Sequence, residues 1–148
     1  MEKNQVIILD IDSNNRRLLP SFQDRKQYLV LRKKLQKTAK KLKIPYLQLE
    51  HEYEIKNQKL LSLPSLKEPL KHLKKYPKNQ LIVFGAGLDF AIESLAAQLL
   101  HHGYQMYMPV DALVCINEKN RKMVLTELRA LGAEMWNTDF ILHHLQQK

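Results

Sequence analysis

Leu81-Ile82-Val83-Phe84-Gly85-Ala86-Gly87-Leu88 is an apolar run that stops at two glycines and then changes its period. Four apolar residues in succession before Gly85 suit a strand buried on both faces of a sheet. After Gly87 the apolar residues are Leu88, Ile92, Leu95, Ala96 and Leu99, a three-and-four spacing that predicts a helix over 88–102. Gly103 then follows where a left-handed residue commonly ends a helix. Strand, turn and helix in this order imply a parallel sheet.

The same alternation continues in both directions. The spacing predicts a strand over 5–10 ending at Asp10, a helix over 21–43, and a strand opened by Pro45 that runs to Leu49. Residues 50–64 form a charged connection to which no element is assigned. Ser65-Leu66-Lys67-Glu68 has the form of a capping box, opening a short helix that Pro77 stops. A strand over 105–110, a helix over 118–131, a strand over 133–136 and a helix over 139–147 complete the order. The expected architecture is an α/β fold: a three-layer α-β-α sandwich with a mainly parallel sheet of five or six strands, formed by a single domain over 1–148. Ligands of such sheets sit beyond the strand C-termini at the point where strand order reverses, so Asp10, residues 85–89 and Asp111 are the expected rim.

A chain of 148 residues with 45% apolar content suffices for one sizeable core. Its single cysteine, Cys115, excludes an intrachain disulfide and a thiolate metal cluster, which points to a reducing, cytoplasmic location. No apolar run approaches the roughly 20 residues of a membrane-spanning helix. Met1 to Gln5 lead directly into the first strand, so no signal segment is expected either.

The formal net charge is +9, and it is unevenly spread. Residues 21–43 hold nine Lys or Arg against one acid, Asp24, while the remainder is nearly neutral. Tyr28, Leu31, Leu35, Ala39 and Leu42 recur within that segment at helical spacing, giving one apolar face among basic ones. The plain expectation is a helix docked on the sheet with solvated lysines. Nucleic acid or another acidic partner is the less favoured alternative. No aromatic side chains interleave the outer lysines, which argues against single-strand binding.

Glycines at 85 and 87 suggest a phosphate-binding turn, but the third glycine of the dinucleotide pattern would fall at Phe90, and Asp89 would repel an anion. No cofactor is expected. The adjacent histidines 101–102 and 143–144 point about 100° apart on a helix, and His51 and His72 stand alone, so no metal site is expected.

Several phrases, in order, resemble the isochorismatase-like cysteine hydrolases, the family that includes nicotinamidases. These are Val6-Ile7-Ile8-Leu9-Asp10-Ile11-Asp12, Ile44-Pro45-Tyr46-Leu47, Gly103-Tyr104-Gln105-Met106-Tyr107, Val110-Asp111-Ala112 and Leu128-Arg129-Ala130-Leu131-Gly132-Ala133-Glu134. The resemblance implies a Cys nucleophile, an Asp that takes its proton and an assisting Lys, acting on an amide or related bond. Asp10 matches the proton acceptor, and Lys56, or Lys59 nearly as well, matches the lysine. Counting forward from Gly85 and back from Gly103 by the family's spacing, both routes reach Ala91 as the nucleophile position. A methyl group can neither attack a carbonyl nor carry a proton. Cys115, four residues beyond Asp111, has no patterned base to activate it. The connection after the second strand is also shorter than relatives carry, which implies a shallow, wet pocket.

The sequence therefore reads as a catalytically inactive, isochorismatase-like domain that works by protein binding or self-association. Leu60, Leu61, Leu63 and Met106 to Met108 are its candidate association residues. Two alternatives stand beside it: a hydrolase in which Asp10 and a lysine activate water directly, and a basic helix that binds nucleic acid or acidic partners.

Overall fold

The computed structural model describes residues 1–13, 22–51, 55–56, 59–60 and 67–147. Its main sheet is built from β1 (Val6–Ser13), β2 (Tyr46–His51), β5 (Gln80–Ala86), β6 (Gln105–Pro109), β7 (Leu113–Val114) and β8 (Glu134–Trp136). A small antiparallel pair, β3 (Ile55–Lys56) and β4 (Lys59–Leu60), stands apart from it. The helices are α1 (Phe22–Leu42), α2 (Lys67–Leu73), α3 (Glu93–His101), α4 (Arg121–Ala130) and α5 (Thr138–Gln146). All main-sheet pairings are parallel, in the order β2-β1-β5-β6-β8, with β7 added beside β5. The α/β sandwich and its six-stranded parallel sheet agree with the sequence reading.

Packing explains the order. The central strand β5 is buried along its whole length, as an uninterrupted apolar run requires. Helix α1 lays Tyr28, Leu31, Leu35 and Ala39 into the core and contacts α5, while α3 contacts α4 in the other layer. Met106, Tyr107 and Met108 are buried in β6 and serve the core, so they are not an association surface. Leu61 and Leu63 lie outside the described residues, as do the Ser65 cap and the side chain of Leu60.

Three sequence expectations need correction. β1 does not end at Asp10 but continues to Ser13, because Ile11 pairs with Gly85 and Asp12 with Glu50. Likewise β5 does not break at Gly85; Gly85 and Ala86 pair with Leu113 and Val114 of β7, and the chain turns only at Gly87, in the left-handed region. Finally, α3 does not begin at Leu88. A π-helical turn over Leu88–Ile92 precedes it, with a non-helical Asp89 at φ −85° and ψ 17°. Asp89 accepts hydrogen bonds from the Ile116 and Asn117 amides at 2.7 and 2.9 Å, and from Asn120 Nδ2 at 3.1 Å. Those bonds tie the turn to the loop before α4 and hold it out of helical register.

Candidate functional site

Asp10 points from the middle of β1 toward α1 and is fully buried. Arg32 of α1 donates from Nε to its Oδ2 at 2.7 Å, and the Tyr46 hydroxyl of β2 donates to the same oxygen. Burial, and then the neighbouring Asp10 carboxylate, raise the Tyr46 hydroxyl well above its ordinary pKa, so it stays protonated and serves as a donor. Phe84, in register with Asp10 on β5, lies 6.4 Å from both the Tyr28 and Tyr46 rings. The carboxylate thus sits in a buried ion pair beside the strand neighbours that carry these rings. A buried charge needs this compensation, since an unpaired one would be strongly destabilising.

The sequence reading places neither Arg32 nor Tyr46 at the site. A signal existed for Arg32. It falls four residues after Tyr28 and three before Leu35, on the flank of the apolar stripe, where a cation must find a buried acid.

Ala91 is buried within the π-helical turn and packs against Phe90 and Ile116, in a small cluster separate from the main core. Lys56 and Lys59 face one another in register across the β3–β4 pair, and their side chains lie outside the described residues. Asp111 is occupied as a cap, accepting from the Thr138 amide at 2.8 Å and the Thr138 hydroxyl at 2.6 Å. Beside it a cleft of about 260 Å³ is lined by Gln27, Asp111, Leu113, Glu118 and Arg121. Arg121 there is held by Glu118 at 2.7 and 2.9 Å and by the Leu113 carbonyl at 2.7 Å. Among the described residues no group of three or more His, Cys, Asp or Glu is placed to hold a metal ion.

Cys115 is fully buried, and burial pushes its thiol up to about 12 against a smaller opposing pull from Arg121. A neutral, enclosed thiol is a poor nucleophile. In the native protein, maleimide labelling of Cys115 should run about a hundredfold or more slower than in urea. Equal rates in the two solvents would contradict this burial.

Glu93 opens α3 within hydrogen-bonding reach of Glu127 on α4. Burial first, then the Glu127 contact and the charge of Asp89, push its carboxyl up to about 7. The folded protein therefore keeps a proton that the unfolded chain loses near its ordinary 4.5. Stability from this contact is full below that value and is lost as pH rises through 7. The urea midpoint should fall between about pH 5 and about pH 8, and Glu93→Gln should flatten that dependence; an unchanged slope in the variant would assign the effect elsewhere.

The family model for the isochorismatase domain matches residues 64–140. The chain belongs to the isochorismatase family. Its structure is similar to YcaC from Pseudomonas aeruginosa, solved with hexane-2,5-diol and covalent acrylamide, at TM-score 0.79 and 17% identity over 100% of this chain and 83% of that one. The YcaC gene product from Escherichia coli, an octameric hydrolase of unknown specificity, gives 0.74 and 15% over 96% of this chain and 79% of that one. MAR1 ribonuclease from Caenorhabditis elegans gives 0.75 and 13% over 98% and 83%. At these identities the likeness is one of fold. No curated protein sequence matches the chain. Among the described residues no helix is long and apolar enough to cross a membrane.

Proposed function

We propose that this chain is a catalytically inactive isochorismatase-like domain, one unit over 1–148, that acts by self-association or protein contact. The observation that carries the reading is the state of Asp10. A proton acceptor has to lie within hydrogen-bond reach of the nucleophile it activates. Here Asp10 is fully buried and the groups on its Oδ2 are the Arg32 guanidinium and the Tyr46 hydroxyl, which are the partners of a structural ion pair and not a nucleophile. Ala91 at the position that the resemblance assigns to the nucleophile supports the same conclusion, and so does the enclosed thiol of Cys115. The hydrolase alternative, in which Asp10 and Lys56 or Lys59 activate water, requires the Arg32 pair to open. A cytoplasmic location suits the free cysteine.

Ammonia release from nicotinamide and N-carbamoylsarcosine should not exceed that of a protein-free control. Turnover that disappears on Asp10→Asn would reject the reading.

Self-association is supported by an aromatic face at the β8 edge of the sheet. Phe140 is 47% exposed and packs edge-on against Trp136, with ring centroids 4.8 Å apart, and tilted against His144 at 4.7 Å. The E. coli relative is octameric. In sedimentation the protein should run as a multiple of 17.4 kDa, and Phe140→Asp should reduce it to the monomer. A wild-type monomer at high concentration would contradict the association.

A further inference from the structure

The outer face of α1 is left without a role by the fold. With Tyr28, Leu31, Leu35 and Ala39 turned into the core and Arg32 held by Asp10, the opposite side carries Lys26, Lys33, Lys37, Lys40 and Lys41, all exposed. Lys34 on the flank approaches Asp139 at 3.7 Å. Among the described residues no acid pairs with the other five. From Lys26 to Lys41 the stripe is about 22 Å long at 1.5 Å per residue, nearly straight, and single-signed. We propose that this face docks on the phosphate backbone of double-stranded nucleic acid, without reading its sequence.

The chemistry of the face selects that partner over others. Lysine is depleted from the cores of protein interfaces, so a stripe of five suits a protein partner poorly. Insertion into a membrane surface needs the apolar side of the helix, which is buried on the sheet here; Leu29 and Val30, 42% and 49% exposed, are too few to replace it. Single strands are bound by stacking on aromatic rings, and no exposed residue described on this helix is aromatic. Phosphates of a duplex require only a row of cations with the right reach, and ammonium groups, lacking the fork of arginine, position without specifying. The inference is independent of whether the domain hydrolyses anything.

The test is binding of the full chain to a mixed-sequence DNA duplex of about two helical turns, followed by anisotropy across a salt series. If each of the five lysines meets a phosphate, log affinity should fall with log salt at a slope of roughly −4.5. A Lys33→Ala, Lys37→Ala, Lys41→Ala variant should bring the slope to roughly −2 and weaken binding by about tenfold or more at low salt. A Lys71→Ala, Lys74→Ala, Lys75→Ala variant removes the same charge from exposed positions on and after α2, and should keep the wild-type slope. A second duplex of unrelated sequence should bind with equal affinity. The proposal is overturned by absence of duplex binding at low salt, by equal losses in the two triple variants, or by preferential capture on vesicles of phosphatidylserine and phosphatidylcholine.

Discussion

Asp10→Ala should destabilise the protein by about 3–5 kcal/mol, the usual cost of removing one member of a buried ion pair. The loss is dominated by what remains. Arg32, with its side chain only 16% exposed, would lose the carboxylate that its Nε meets, and the Tyr46 hydroxyl would lose its acceptor. Urea denaturation followed by far-ultraviolet circular dichroism measures this directly. A variant as stable as the wild type would show that α1 does not depend on the pair. An active-site carboxylate behaves in the opposite way, because sites arranged for chemistry are strained and their removal often stabilises the fold.

Gly85→Ala should be at least as severe, costing about 4 kcal/mol or more. A Cβ at this position would lie 1.9 Å from the Ile11 carbonyl oxygen, and the backbone holds φ at +140°, where L side chains are strained. The clash is with backbone, so no rotamer change relieves it. Because Gly85 joins β5 to both Ile11 of β1 and Leu113 of β7, displacement would open the sheet at the strand C-termini. Soluble expression at low temperature with a greatly lowered melting point is the expected outcome; a wild-type melting point would mean that the two backbones can separate without cost.

Most of the sheet was legible because its strands announce themselves by composition. β5 is a continuous apolar run, and the apolar stripe of α1 recurs at 28, 31, 35 and 39 over about three turns, long enough for its period to be unambiguous. β7 was not legible, since two residues carry no period. The turn before α3 departs from its sequence pattern for a different reason. Leu88 and Ile92 fit helical spacing, but Asp89 is drawn aside by amides 27 and 28 residues away, a tertiary contact that no local pattern contains.

The candidate site divides in the same manner. Asp10 stands out as an acid inside an apolar strand, and the registration that reaches Ala91 rests on two glycines that the eye finds easily. Whether Asp10 is a base or half of an ion pair depended on Arg32, 22 residues on and surrounded by eight other cations in its segment. Composition made that arginine one of many. Only its place on the inner flank of the helix distinguished it.

The double-mutant cycle of Asp10→Asn and Arg32→Met in urea tests the account at its centre. The account predicts strong coupling, with the double variant recovering about 2 kcal/mol or more of the summed single losses because the two charges compensate one another across the 2.7 Å contact. Additive losses would mean that the two side chains act independently, and the reading of Asp10 as a structural carboxylate would fail.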